Sequence, residues 1–307
     1  MKSFHLTLLT FFLLAGCTYI DTPFSKNKAP EKFEDQKEMI SLNDYWYQGE
    51  AQVLTYNLTQ NRYDNTHPGE AVLIQVSEPF NTDMQVKSDG VNKEANTATV
   101  LKTNIIERFT TGMYDYSMMT SVFTGVKDPF PTYKVTHSSQ DWCGQSMAQL
   151  NKKEHTFRFQ LHSYFESEGD RDVLMPEVIL EDELFNLIRM SPGKIVAGDV
   201  KMLPSMKVMR LLHLPLEPVE ASIDVEITRD TSMVHIEMPT LKRNKTIYFL
   251  NQMPHTITGW EDTYPSVFDH QLRTTKAYLK GWKKIDYWNY NKLNNMSIRE
   301  ELGLKLY

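Results

Sequence analysis

Alternation of apolar and polar side chains dominates the middle and later parts of the chain. Over 156–166, Phe157, Phe159, Leu161 and Phe165 alternate with Arg158, Gln160, His162, Tyr164 and Glu166. Over 222–228, Ile223, Val225 and Ile227 alternate with polar residues, and Val234, Ile236 and Met238 continue the pattern. A period of two is the spacing of a strand with one buried and one wetter face, so these stretches predict antiparallel sheet. Earlier segments read the same way. A strand-like region runs from Tyr45-Trp46-Tyr47 to Tyr63, and a buried strand is expected over 71–76, between a turn at His67-Pro68-Gly69 and a stop at Pro79. Further strands are expected over 100–109 and 116–124, with turns at Ser88-Asp89-Gly90 and Asp128-Pro129-Phe130-Pro131. One stretch has helical spacing. Leu180, Leu184, Leu187 and Ile188 recur after Pro176-Glu177, acidic residues sit early, Arg189 sits late, and Ser191-Pro192-Gly193 stops it. This predicts one main helix over 177–190; a weaker candidate lies over 297–304. The expected fold is mainly β (α+β): a curved antiparallel sheet or half-open barrel with the helix tucked against it, a two-sheet sandwich being the alternative.

The N-terminus has a different texture. Lys2 precedes an apolar run, Phe4 to Leu14, which ends in Leu14-Ala15-Gly16-Cys17. A charged start, a short apolar stretch and small residues are the layout of a secretory signal peptide. Leu-Ala-Gly-Cys resembles the bacterial lipobox, which implies cleavage before Cys17 and an acyl-bearing Cys17 as the lipidation site. The run falls well short of the ~20 apolar residues of a spanning helix. Buried acyl CH₂ groups contribute about 0.8 kcal/mol each, so two or three chains hold a protein on a bilayer. Residues 1–16 are thus expected to be a signal peptide, 17–40 a polar, Pro-containing tether, and 41–307 a single β-rich domain of the cell envelope.

Composition narrows the partners. The chain has 33 basic and 39 acidic residues, a formal charge of −6. That argues against nucleic acid, which demands a clustered positive footprint, and against an electrostatic grip on anionic lipid. Membrane attachment would come from Cys17. Of the two cysteines, lipidation consumes one and leaves Cys143 without an intramolecular partner. No cysteine cluster offers a metal site, and no P-loop, G-x-G-x-x-G or G-x-S-x-G signature occurs. No cofactor is expected.

Candidate chemistry is sparse. Thr136 to Gln145 holds His137, Asp141 and Cys143, and a cysteine nucleophile would need a base in space, for which His137, His155 and His162 are candidates. Against this, a lone cysteine commonly packs as a small hydrophobe. His162 and Glu166 share the polar face of one predicted strand, as a pocket lining would. Glu181-Asp182-Glu183 could do acid–base work, but a helix start attracts carboxylates electrostatically. The five tryptophans are expected mostly in the core, some lining an apolar groove able to take an acyl chain or glycan. Gly259-Trp260 and Gly281-Trp282 read as turn plus anchor.

Tyr45-Trp46-Tyr47-Gln48-Gly49-Glu50-Ala51, Gly69 to Ile74, Glu78-Pro79-Phe80, Asp141-Trp142-Cys143-Gly144, His162 to Glu166, Glu181 to Leu184 and Gly259-Trp260-Glu261 together resemble a family of Bacteroidota lipoproteins often labelled "septum formation inhibitor Maf". The resemblance spans nearly all of the mature chain and implies an outer-membrane lipoprotein; it brings no catalytic residues with it. The label implies a nucleotide pyrophosphatase, whose Ser-x-Ser-Pro-Arg-Arg type loop is missing from this sequence. Thr18 after the cysteine fits outer-membrane sorting, and the lack of an acidic cluster there fits a periplasm-facing position. The expected function is non-enzymatic binding of a hydrophobic ligand, a glycan or an envelope protein. An envelope hydrolase using Cys143 and a nearby histidine is the alternative, and a pyrophosphatase the disfavoured third.

Overall fold

The computed structural model describes residues 44–305, which belong to the second of the two units into which the chain divides, Ile40–Tyr307. The signal-like segment, Cys17 and the tether to residue 40 lie outside the described residues. After a short 3-10 turn at Asp44–Trp46 come nine strands: Ala51–Arg62 (β1), Asn65–Asn81 (β2), Val86–Lys87 (β3), Thr97–Thr111 (β4), Tyr114–Gly125 (β5), Thr132–Gln140 (β6), Gln145–Lys153 (β7), Thr156–His162 (β8) and Arg171–Pro176 (β9). A helical insert follows, with Ile179–Leu180 (β10), a 3-10 turn at Glu181–Glu183, Leu184–Met190 (α1), Gly198–Leu203 (β11) and Met206–Leu212 (α2). The chain then returns to sheet with Val219–Glu226 (β12), Thr231–Met238 (β13), Arg243–Leu250 (β14), Ile257–Pro265 (β15) and Leu272–Ile285 (β16), and ends in Ser297–Glu301 (α3).

All strands among the described residues belong to one sheet of sixteen, a mainly β fold as the alternation predicts. Two antiparallel meanders, β1 to β9 and β11 to β16, are joined side by side by the pairing of β1 with β16. The sheet does not close; its ends are β9 and β10. It is curved, and the contacts of the insert show why. Asn186 of α1 reaches β4 and β5, Phe185 packs edge-on against Trp260 of β15, Arg189 bonds Gln52 of β1, and Glu181 meets Arg243 of β14. One short segment touches strands from both meanders only if the sheet bends around it.

The inner face therefore holds the main core, including Leu54, Tyr56, Leu73, Phe109, Ile236, Phe249 and Trp260 around Phe185 and Ile188. The outer face of β1 and β2 is also covered, because the segment after β16 lies on it. Leu302 packs with Val53, Ile74 and Val76. Thr55 donates to the Leu302 carbonyl at 2.7 Å, and Lys280 donates to Glu70 at 2.6 Å and to the Gly303 carbonyl. Two-sided burial is the reason β1 is buried at ten of its twelve positions, polar Gln52, Thr55, Gln60, Asn61 and Arg62 included.

Several local expectations are corrected. His67-Pro68-Gly69 is not a turn but lies inside the seventeen-residue β2, which also runs through Pro79. The hairpin turns at Tyr63-Asp64, with Tyr63 in the left-handed region at φ 56°. Gly69 serves close approach: a Cβ there would sit 2.3 Å from the Arg108 carbonyl oxygen of β4. The alternation over 156–166 breaks at His162, and Phe165 belongs to the following turn. The main helix is shorter than the predicted 177–190, beginning at Leu184 after the acidic 3-10 turn, and α2 has no counterpart in the sequence reading. Gly259 is interior to β15 rather than in a turn, and only two of the five tryptophans, Trp46 and Trp260, are buried. Among the described residues no helix is long and apolar enough to cross a membrane.

Candidate functional site

The short α2 is held at both ends, and this sets the geometry of the cleft beside it. At its start, Ser205 caps the helix by accepting from the Val208 amide. The amide of Ser205 donates to Glu181 at 2.9 Å and that of Met206 to Asp182 at 3.0 Å. In its first turn Lys207 pairs with Glu107 of β4 at 2.6 Å, and at its end Arg62 of β1 donates to the Leu211 carbonyl at 2.7 Å. Seven residues make a marginal helix alone; these tertiary bonds fix it against the inner face of β5 to β8.

The acidic cluster thus does something other than decorate a helix start. Glu181 and Asp182 are buried, and Glu181 bonds Arg243 and Lys245 while Arg243 also grips Asp262 at 2.7 Å. Burial opposes ionisation of Glu181, but Arg243 and Lys245 outweigh it and hold its carboxyl well below the usual range. Asp182 goes the other way: burial, then the neighbouring Glu181 charge, push it up to about 7. The network anchors the insert to β14 and β15.

Between α2 and β6 to β8 is a small cavity of about 50 Å³, lined by His137, Ser146, Phe159, Leu161, Met209 and Arg210 among others. It shares Phe159, Leu161, Glu168, Met209 and Leu214 with a flanking cleft of about 410 Å³ that extends along β9 to Val173 and the chain after α2. The walls are mostly apolar and belong to a core cluster built from Phe159, Met206, Met209 and their neighbours.

Three polar groups on this inner face stand out. His137 is 3% exposed; its Nδ1 lies 2.9 Å from the Thr120 hydroxyl, and its Nε2 is buried without a hydrogen-bond partner among the described residues. Burial, with Lys207 and Arg210 nearby, pushes its imidazolium form out of range, to about 3. Arg210 donates through Nε to Ser146 at 2.9 Å, and its guanidinium sits 4.5 Å over the Phe165 ring. Its Nη1 is buried and unpartnered. Ser139, opposite Ser146 in the β6–β7 ladder, has a buried hydroxyl that is also unpartnered. A buried unsatisfied polar group costs about 1–3 kcal/mol, so three on neighbouring positions of one face require a reason. The turn after β8 closes the outer side: Glu168 holds His213 at 2.6 Å and also accepts from Ser163.

The residues singled out from the sequence are not brought together. His137 faces inward into this cavity. Cys143 is exposed in the β6–β7 turn, where its amide donates to Asp141 at 2.7 Å. His155 is exposed at the β7–β8 turn. His162 points to the outer side and lies 3.3 Å from Asp170, both exposed, and Glu166 is exposed beyond the strand. No described hydrogen bond links the Cys143 thiol to an imidazole. The sequence pattern does not single out Arg210, although an arginine set among Met206, Val208, Met209, Leu211 and Leu212 is a visible anomaly. No group of three or more His, Cys, Asp or Glu residues with metal-binding geometry occurs among the described residues. Comparison of the chain with family models, with characterised proteins and with solved structures finds no match.

Proposed function

We propose that this chain is a lipid-anchored protein of the cell envelope, attached through Cys17, whose β-rich body binds a hydrophobic ligand in the cleft between α2 and β6 to β9. One observation carries the reading: the cleft has mostly apolar walls, and at its inner end His137 Nε2 and Arg210 Nη1 are buried with no hydrogen-bond partner among the described residues. Ligand sites combine apolar walls with a few convergent polar groups in this way. The dispersed positions of Cys143, His162 and Glu166 give no support to the hydrolase alternative. The resemblance to envelope lipoproteins and the Leu-Ala-Gly-Cys sequence supply the location.

Native mass spectrometry of the full lipidated chain tests the binding role. A co-purifying small molecule, depleted when Met209→Glu places a charge on the cleft wall, is the expected result. Wild-type protein that carries no such molecule, and takes up no 1-dodecanol from solution, overturns the reading.

A further inference from the structure

We infer that the inner end of the cleft is a head-group site for a carboxylate, so that the ligand is an anionic single-chain amphiphile of the fatty-acid type. The inference rests on the cleft being the binding site and adds the chemistry of what enters it. The small cavity is the right scale for a head group. At about 50 Å³ it accommodates a few water-sized atoms, whereas the flanking cleft of about 410 Å³ takes a flexible chain. Phe159, Leu161, Met209 and Leu214 line both spaces together with Glu168, so an apolar tail leaving the first enters the second along a wall that is apolar apart from that one carboxylate.

The free donors at the inner end match a carboxylate. Arg210 spends Nε on Ser146 and leaves Nη1 buried and unpaired; a guanidinium in that state is an oxyanion binder. His137 supplies a neutral imidazole. When Nδ1 accepts the Thr120 hydroxyl proton, Nε2–H is a donor into the cavity. Glu168 is the carboxylate that lines the cavity, and it is already engaged by His213 and Ser163. Lys207, on the same helix, is matched by Glu107, whereas Arg210 has no direct ion pair and feels Glu168 and Asp141 only through space; the nearby Arg62 spends its donors on Tyr116 and the Leu211 carbonyl.

Equilibrium dialysis of the full lipidated chain in phosphatidylcholine nanodiscs, with empty nanodiscs as the blank, tests this with three probes of equal chain length: laurate, 1-dodecanol and dodecyltrimethylammonium. Wild-type protein is expected to prefer laurate over both others by tenfold or more. Arg210→Gln is expected to abolish that preference while changing dodecanol binding less than threefold, and Arg210→Lys to restore part of it. His137→Gln, whose amide still reaches Thr120, is expected to weaken laurate several-fold and serves if Arg210→Gln does not fold. Equal binding of laurate and dodecanol by the wild type, or a laurate preference that survives Arg210→Gln or, where that variant does not fold, His137→Gln, overturns the head-group assignment and leaves the cleft standing. Binding of none of the three probes above the blank overturns both.

Discussion

The carboxylate of Glu181 and the guanidinium of Arg243, 62 residues apart in the chain, meet at 2.7 Å inside the curved sheet, and both side chains are essentially inaccessible to solvent. The pair joins the helical insert to β14, and Lys245 and Asp262 complete it. Removing one partner of a buried pair leaves an uncompensated charge, at a cost of about 3–5 kcal/mol. Glu181→Gln, which strands Arg243 and Lys245 with one fewer anion, is therefore expected to lower the urea unfolding free energy by that order. A loss under about 1 kcal/mol would show that the network does not hold the insert.

Asp182 and His137 give the pH dependence two components of opposite sign. Asp182 titrates near 7 in the fold against 3.8 ordinarily. Its contribution is complete below about pH 4 and is lost as pH rises through 7. His137 titrates near 3 against 6.5, so the folded state loses stability as pH falls from 6.5 towards 3. Unfolding measured against pH for wild type, Asp182→Asn and His137→Gln separates them. Relative to wild type, Asp182→Asn is expected to gain stability as pH rises from about 4 to 7, and His137→Gln to gain as pH falls from about 6.5 to 4. The full swing is on the order of a few kcal/mol in each case. Parallel curves for all three proteins would remove both residues from the pH response.

The period-two stretches over 222–238 and 156–162 announce their strands because one face of each meets the core and the other meets solvent. Turn composition misleads where a glycine is needed for contact instead of curvature: Gly69 makes room for the Arg108 carbonyl and Gly259 for that of Ala277, while the real turn at Tyr63-Asp64 contains neither Gly nor Pro. The helix α2 is invisible because its stability lies in Glu181, Asp182 and Arg62, partners remote in sequence. His137 was legible as a polar residue of interest. Its partner in the site, Arg210, was not, since only the fold places β6 beneath α2.

Asn186 clamps α1 to the sheet. Its amide donates to the Leu101 carbonyl at 3.0 Å and to the Thr124 hydroxyl at 2.9 Å, and its carbonyl accepts from Thr103; the residue is fully buried. Asn186→Leu has nearly the same volume but removes all of these bonds and leaves the Thr103 hydroxyl without an acceptor, while Thr124 keeps Thr132 and Thr103 still accepts from Gln75. At about 1–3 kcal/mol for a buried unsatisfied group, thermal unfolding is expected to show a loss of roughly 3 kcal/mol. Full retention of stability would mean that water replaces the amide and that α1 is held by apolar contact alone.

Cys143 offers a test of the proposed lipidation of Cys17. Its residue is exposed, and the turn uses its backbone amide rather than its sulfur, so Cys143→Ser is expected to change stability by less than about 0.5 kcal/mol. The native protein isolated from membranes is expected to react with Ellman's reagent at one thiol per chain, as fast as an unhindered cysteine. Urea should reveal no second thiol, because the proposed acylation makes the sulfur of Cys17 a thioether. In the Cys143→Ser variant the count should fall to zero. Two thiols in urea would mean that Cys17 carries no lipid, and the membrane attachment proposed for this chain would fall with that result.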